Sequence, residues 1–83
     1  MLRLYSASWC GACTKARAFL KKKGIAFVEK DVEKEPSARS EIAAAAKRAG
    51  IDPSRLSGVP IIVIGDRVLM GFDPERVMRL LRR

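Results

Sequence analysis

Two cysteines are the residues of this chain best suited to chemistry. Cys10 and Cys13 are three positions apart, so they share one side of any helix that begins near Cys10. Residues with this spacing reach the Cα separation of about 4.4–6.8 Å that a disulfide requires. The pair can therefore open and close with little backbone movement, and its spacing predicts thiol–disulfide exchange.

A helix N-terminus at this position would make one of the thiols reactive. Its unpaired N–H groups and partial positive charge favour a thiolate, and we expect Lys15 and Arg17 to strengthen that field. The pKa of a free cysteine is about 8.5 and falls to about 3.5–7.5 at such positions. We predict that Cys10 is the more exposed sulfur and the nucleophile, and that Cys13 is more buried and resolves the mixed disulfide.

A purely structural role for the pair is the weaker alternative. A disulfide that closes a four-residue loop stabilises the folded chain by only about 2 kcal/mol in the entropy model. The 83 residues contain no histidine, which excludes Ser-His-Asp and Cys-His catalysis and His-containing zinc sites. Two cysteines cannot form a Cys₄ zinc or iron–sulfur site within one chain, so a metal would need a second chain. We therefore expect no metal.

Length and composition limit the setting of this chemistry. At 83 residues and 48% hydrophobic content we expect one domain, 1–83, with a small core. No apolar stretch is long enough to span a membrane, and the first residues do not resemble a signal peptide. A single cysteine pair is also unlike the disulfide framework of small secreted proteins. We expect a cytoplasmic monomer that does not bind membranes.

The hydrophobic pattern predicts the elements that position the cysteines. Strands are predicted at 2–6, 25–28, 61–64 and 67–70, and the polar segment 29–35 is predicted to be a loop. Helices are predicted to begin at Cys10 or Gly11, at Pro36 and after Asp73, which is a suitable N-cap. Gly24 and Gly50 are expected to end the first two helices.

The order of these elements predicts the fold class. It reads β-α-β-α-β-β-α, and a strand–helix–strand unit favours a parallel pair with a right-handed crossover. Gly65–Asp66 between the last two strands predicts a hairpin, with a turn of type II′. The expected fold is α/β, with a mixed four-stranded sheet flanked by helices. The core is expected to include Phe19, Leu20, Phe27, Ile42 and Val63.

Three motifs along the chain together resemble those of the glutaredoxin family. They are 5–13 (YSASWCGAC), 58–60 (GVP) and 71–73 (GFD), and the match is collinear over essentially the whole chain. The CxxC motif alone is moderately specific, whereas the three in this order are highly specific. The resemblance implies a thioredoxin-like fold and the activity of a dithiol glutaredoxin, an enzyme that reduces protein disulfides or glutathione mixed disulfides.

The resemblance also implies the residues around the cysteines. Pro60 should follow a cis peptide bond, and the backbone of Val59 should pair with that of the substrate. The alternative is an ordinary turn at the start of a strand. Trp9 is expected either to shield the thiolate and offer an apolar surface to the substrate, or to be a partly buried aromatic.

Glutathione is the reductant that the resemblance favours. In that family its site includes the start of the last helix, which here is Gly71, Phe72 and Asp73. Asp73 can pair with the glutathione amino group, or it can serve only as an N-cap. Many glutaredoxins carry a lysine shortly before the first cysteine, whereas this chain has Ala7 and Ser8.

These departures leave other functions open. The segment 71–74 (GFDP) is similar to one in small redoxins that supply ribonucleotide reductase and are themselves reduced by thioredoxin reductase. A non-catalytic redoxin module that holds an iron–sulfur cluster or metal through Cys10 at a dimer interface is a further alternative. The net charge of +8 suits anionic partners such as glutathione or an acidic protein. No motif indicates specific binding of nucleic acid.

Overall fold

The predicted order of elements is confirmed. The structure is a computed structural model that describes residues 2–56 and 58–82 of the chain. Its strands and helices are β1 (Leu2–Ser6), α1 (Gly11–Lys22), β2 (Phe27–Asp31), α2 (Ala38–Arg48), β3 (Ile61–Ile64), β4 (Arg67–Met70) and α3 (Pro74–Leu81). A short 3₁₀ turn at Pro53–Arg55 lies between α2 and β3.

The four strands form one mixed sheet in the order β2-β1-β3-β4. β1 and β2 are parallel, while β3 is antiparallel to both β1 and β4. Leu2 lies opposite Phe27 on one side and Ile64 on the other, at one end of the sheet. Tyr5 lies opposite Ile61 towards the other end, which is where β1 stops and β3 starts. This mixed sheet with three helices is the architecture that the sequence predicts.

The helices cover opposite faces of the sheet because neighbouring residues of a strand point to opposite sides. Leu4 of β1 packs in one core cluster with Leu20 of α1 and Val77 of α3. Tyr5 packs in a second cluster with Ile42 of α2. The Tyr5 hydroxyl also donates a hydrogen bond to Glu41 Oε1 (2.9 Å). Burial and this bond raise the pKa of Tyr5 to about 12.

Two of the five predicted core residues are less buried than expected. Leu20, Ile42 and Val63 are buried, as predicted. Phe19 and Phe27 pack against the first core cluster but remain partly exposed. Phe27 lies in β2, which is an edge strand, and Phe19 lies on α1 against Phe72, where its ring lines an open depression.

Glycines end the first two helices at the predicted positions. Gly24 has a φ of 68°, and its N–H donates to the Lys21 carbonyl while that of Ile25 donates to the Leu20 carbonyl. This pair of bonds is the Schellman motif, which needs a left-handed residue and so favours glycine. α2 ends in the same way at Gly50. In the hairpin, only Gly65 of the Gly65–Asp66 pair has a positive φ, which fits the predicted type II′ turn.

The second strand differs from its prediction. It spans Phe27–Asp31 rather than 25–28, so the part of 29–35 predicted as loop begins as strand. Ile25 belongs instead to the end of α1 through its bond to Leu20. Glu29 and Lys30 are compatible with the strand because each pairs with β1 through its backbone and with an opposite charge through its side chain. The polarity of residues 29–31 therefore led to a wrong prediction of loop.

Candidate active site

Cys10 and Cys13 lie at the junction between an interior strand and the first helix. β1 ends at Ser6 and α1 begins at Gly11, so the cysteines lie just beyond the C-terminal end of β1. Cys10 is the N-cap of α1, in an extended conformation, and its N–H donates to the Ala7 carbonyl (3.1 Å). The helix therefore begins where the sequence predicts.

The sulfur of Cys10 serves as the capping acceptor of α1. The N–H of Cys13 donates a hydrogen bond to Cys10 Sγ (3.0 Å). In the oxidised pair this Sγ is a disulfide sulfur, and after reduction the same N–H faces the thiol or thiolate. A hydrogen bond to the charged form and the positive end of the helix both favour a thiolate. The Cα atoms of the two cysteines are 5.2 Å apart, within the range for a disulfide.

The two cysteines differ in burial in the predicted order. Cys10 is 7% exposed and Cys13 is fully buried. They form a small apolar cluster with Ala7, against which Val32 and Val59 pack. An attacking thiolate must reach solvent, so the difference in access favours Cys10. The assignment of nucleophile and resolving cysteine stays a prediction.

One of the two cations expected near Cys10 is neutralised. Arg17, one turn after Cys13 in α1, donates from Nε to Glu29 Oε1 (2.7 Å) and from Nη2 to Oε2 (2.5 Å). The buried hydroxyl of Ser6 donates to the same carboxylate (2.7 Å). Arg17, and then Ser6, hold the pKa of Glu29 below its usual value, although burial opposes the shift. The expectation that Arg17 adds net positive charge at Cys10 is therefore wrong.

Sequence reasoning missed Glu29 and Ser6 as neighbours of the helix that carries the cysteines. Glu29 lies in β2 opposite Leu4, and its side chain reaches Arg17 on α1. The partners are 12 and 23 positions away in sequence, so no local spacing connects them. An acidic residue two positions after Phe27, on the same side of the strand, was the available signal.

A second loop reaches the cysteines from the start of β3. The Val59–Pro60 peptide bond is cis, as the resemblance implies. The Val59 side chain packs against Cys10 and Cys13, and the buried Pro60 accepts a hydrogen bond from Gly71 N–H at its carbonyl (2.9 Å). Among the described residues, the backbone N–H and C=O of Val59 have no hydrogen-bond partner. They are thus available to an extended chain.

Trp9 borders an open groove beside the cysteines. Its indole is 68% exposed, so the expectation of a partly buried aromatic is wrong. The groove has a volume of about 490 Å³ and extends from Val59 towards α2. Its lining includes apolar and charged side chains: Trp9, Val32, Glu33, Arg39, Ile42 and Val59. An exposed aromatic beside a groove suits contact with a ligand rather than a role in the core.

The segment before α3 has mainly structural contacts. Asp73 Oδ1 accepts hydrogen bonds from the N–H groups of Glu75 (3.1 Å) and Arg76 (3.4 Å), which confirms its role as N-cap. The ring of Phe72 packs edge-to-face on Phe19, with ring centroids 5.5 Å apart. Gly71 is the member of this segment that the structure joins directly to the loop of Pro60. Glutathione binding here stays a prediction.

Two further observations concern residues 2–56 and 58–82. No group of three or more His, Cys, Asp or Glu side chains in these ranges is placed to hold a metal ion. No helix there is long and apolar enough to cross a membrane. The expectation that the protein needs no metal stays a prediction.

The known sequences that this chain resembles are described as glutaredoxins or as glutaredoxin-like. The chain matches the family model described as Glutaredoxin over residues 2–69. It is 30% identical over 83 residues to an uncharacterized glutaredoxin-like protein of the rubredoxin operon of Clostridium pasteurianum, with 100% of both chains covered. It is 33% identical over 70 residues to a glutaredoxin of Pseudomonas aeruginosa, which covers 84% of this chain and 74% of that protein.

The fold also resembles solved structures of a thioredoxin-like protein and of a glutaredoxin. A crystal structure of a thioredoxin-like protein superposes with a TM-score of 0.77 at 26% identity and covers 96% of this chain and 99% of its own. A glutaredoxin from Archaeoglobus fulgidus superposes with a TM-score of 0.73 at 25% identity and covers 99% of this chain and 86% of its own.

Proposed function

Because the chain belongs to the glutaredoxin family, we propose that it reduces protein disulfides or glutathione mixed disulfides through Cys10 and Cys13. The observation that carries this proposal is the hydrogen bond from Cys13 N–H to Cys10 Sγ at the start of α1. That arrangement prepares Cys10 to be a thiolate, which is the attacking species in disulfide exchange. The redox fold and the cysteine pair at disulfide distance supply the rest.

The first step is attack on the substrate. The Cys10 thiolate attacks one sulfur of the substrate disulfide, forms a mixed disulfide with it and releases the other sulfur as a thiolate, which takes a proton from solvent. Cys10 is the cysteine that is partly accessible to this substrate, whereas Cys13 is fully buried.

The second step uses Cys13. Its thiol loses a proton, and the resulting thiolate attacks Cys10 Sγ, which forms the Cys10–Cys13 disulfide and releases the second substrate thiol. Two electrons pass from the cysteine pair to the substrate in total. The Cα separation of 5.2 Å allows this closure without a large backbone movement. An external thiol reductant must then return the pair to the dithiol form.

The neighbouring loop supplies a docking edge for the substrate. The unpaired N–H and C=O of Val59 can hold an extended segment of the substrate as a short strand next to Cys10. Trp9 and the adjoining groove then contact the side chains that flank the substrate sulfur. Val59 and Trp9 thus bind the substrate, and Cys10 and Cys13 carry out the chemistry.

Glutathione is the reductant that we propose first. The Asp73 carboxylate is exposed, and only Oδ1 caps α3, so Oδ2 remains for a glutathione amino group. Gly71 connects this position to the loop of Pro60 through a hydrogen bond. Reduction of one Cys10–Cys13 disulfide to the dithiol would oxidise two glutathione molecules to one glutathione disulfide.

Reduction by thioredoxin reductase is the second candidate. The two positions where many glutaredoxins carry a lysine, Ala7 and Ser8, are uncharged here and offer no cation to a glutathione carboxylate. The exposed Trp9 instead offers an apolar surface of the kind that suits a protein partner. The two candidates use the same cysteines and differ only in the source of electrons.

A pair of coupled assays separates these candidates. Consumption of NADPH is followed with hydroxyethyl disulfide, glutathione and glutathione reductase, and separately with insulin and thioredoxin reductase. Turnover in the first assay that is lost in Cys10→Ser supports the glutathione-dependent function. Turnover only in the second supports the other candidate. Activity in neither, or full activity of Cys10→Ser, would contradict the proposed function.

A further inference from the structure

Part of the positive charge of the chain, six of its 17 Lys and Arg residues, is gathered on a face that the redox chemistry does not use. Six exposed cations surround the outer side of α3 and define what we call the basic face: Lys23, Arg48, Arg67, Arg76, Arg79 and Arg82. Among the side chains lining its two depressions, the carboxylates are Glu75 and Asp66, of which Asp66 lies 3.9 Å from Arg67.

Two depressions on either side of α3 bring these cations together. One, of about 390 Å³, lies between α1 and α3 and is lined by Lys23, Arg79 and Arg82. The other, of about 320 Å³, lies beyond the edge of β4 and is lined by Arg48, Arg67 and Arg76. Each depression thus draws three cations from at least two elements.

The register of α3 makes it the ridge between the two depressions. Arg79 and Arg82 belong to one side of the helix, and Arg76, one turn before Leu80, belongs to the other. Val77, between them in sequence, is the residue that α3 buries in the core. The outer surface of the helix therefore carries these arginines together with Glu75.

This face lies away from the cysteines. β3 begins beside them at Ile61 and ends at Ile64, which pairs with Arg67 at the other end of the sheet. α3 begins next to the loop of Pro60 and runs towards that same far end, as its contact with the depression that holds Arg67 shows. A ligand on the basic face would thus leave Cys10 free.

We propose that the basic face binds the phosphodiester backbone of duplex nucleic acid without reading its sequence. Five of the six cations are arginines, whose planar guanidinium groups match phosphate oxygens with paired hydrogen bonds. A ridge with cations on both flanks presents charge to two rows of phosphates. Backbone contacts of this kind carry no sequence information, which agrees with the absence of a recognition motif.

An anionic membrane is the less suitable partner. The large hydrophobic side chains that the described residues expose are Trp9, Val28 and Met70, and none lines either depression. The apolar side chains that line the depressions, such as Phe19 and Met78, are only partly exposed, so the face offers little apolar surface to a bilayer. It also lacks an exposed aromatic for stacking on single-stranded bases, so a duplex is the preferred form.

Salt dependence gives the proposal a quantitative form. If all six cations contact phosphates, log K for binding should fall with log salt with a slope of about −5. Between about 50 mM and about 200 mM salt the affinity should fall by about a thousandfold. Each cation removed from the face should reduce the slope by about 1.

Fluorescence anisotropy with a short labelled DNA duplex of random sequence tests this on the oxidised protein. The variant Arg76→Gln/Arg79→Gln/Arg82→Gln should reduce the slope by about 3, and Arg48→Gln/Arg67→Gln by about 2. The matched control is Lys15→Gln/Lys34→Gln/Arg55→Gln, which removes three exposed cations outside the face. Either triple variant lowers the formal net charge from +8 to +5 (8 − 3), so total charge is held equal.

The expected result is wild-type affinity and slope for the control, and for both face variants weaker binding with the smaller slopes given above, each with an unchanged circular dichroism spectrum. Three outcomes would overturn the proposal. They are no binding at low salt, equal losses in the control and the face variants, and tighter binding to vesicles rich in anionic lipid than to the duplex.

Discussion

The backbone N–H of Cys13 points at the sulfur of Cys10, 3.0 Å away, in the first turn of α1. The bond exists because Cys10 occupies the N-cap, where a serine or aspartate side chain would usually accept it. The same contact therefore completes the helix and stabilises negative charge on the sulfur. A residue that shapes the fold is in this way also prepared for chemistry.

The first prediction concerns the acidity of Cys10. In reduced protein carrying Cys13→Ser, which leaves one thiol and keeps the backbone N–H at position 13, the pKa of Cys10 should lie below the value of about 8.5 for free cysteine. The ultraviolet absorbance of the thiolate, followed against pH, measures it. Cys10→Ser/Cys13→Ser, which has no thiol, is the blank. A pKa at or above that of free cysteine would show that the helix N-terminus does not activate this thiol.

The second prediction uses the acid sensitivity of Glu29. Because Arg17 and Ser6 hold its pKa below the usual value of 4.5, Glu29 stabilises the fold above that pH. This stability is lost as the pH falls from 4.5 through the lower pKa of the folded state. Glu29→Gln should therefore lower the free energy of unfolding by about 1–2 kcal/mol at neutral pH, and the difference from wild type should shrink in acid.

Urea unfolding at several pH values measures that difference. Glu35→Gln is the matched control, because this exposed carboxylate follows the same strand and should change stability little. An equal effect of the two substitutions, or a Glu29→Gln difference that does not depend on pH, would contradict the role assigned to Glu29.

The third prediction separates binding from folding at Trp9. Since the indole is 68% exposed, Trp9→Ala should leave the melting temperature nearly unchanged. It should lower kcat/KM for a protein disulfide by about fivefold, the equivalent of about 1 kcal/mol, and affect hydroxyethyl disulfide less. Trp9→Phe should restore most of the loss. Equal losses on both substrates would argue against a docking role.

The fourth prediction tests the end of α1. Gly24 has a φ of 68°, which costs a residue with a side chain about 1–2 kcal/mol. Gly24→Ala should therefore lower the free energy of unfolding by about that amount, measured in urea. Gly11→Ala is the control, because Gly11 has no positive φ and open space around its Cα. Because Ala restricts the unfolded chain and favours helix, Gly11→Ala should cost nothing; a similar cost for both would mean that the left-handed conformation does not cause the effect.

Features that depend on a few neighbouring residues could be predicted from the sequence. Asp73 caps α3 through N–H groups two and three residues on, and Gly24 ends α1 through bonds to the preceding turn. The burial order of Cys10 and Cys13 likewise follows from their places in one helical turn. The cis bond before Pro60 came from the family resemblance rather than from spacing.

Features that depend on distant residues could not be predicted in this way. Glu29 belongs to a strand because β1 pairs with it and Arg17 neutralises it, and neither partner is near in sequence. The exposure of Trp9 depends on how the loop before α1 meets α2 and the loop of Val59. The sequence shows the sum of the charges, whereas only the fold places Arg48 and Arg76 on one face.

Trapping of the mixed disulfide tests the central claim most directly. Reduced Cys13→Ser, mixed with a disulfide substrate, should form a stable one-to-one covalent adduct that peptide mass spectrometry locates at Cys10. Reduced Cys10→Ser, treated identically, should form little or none because Cys13 is buried. An adduct at Cys13 in the second variant, or the lack of one at Cys10 in the first, would contradict the account.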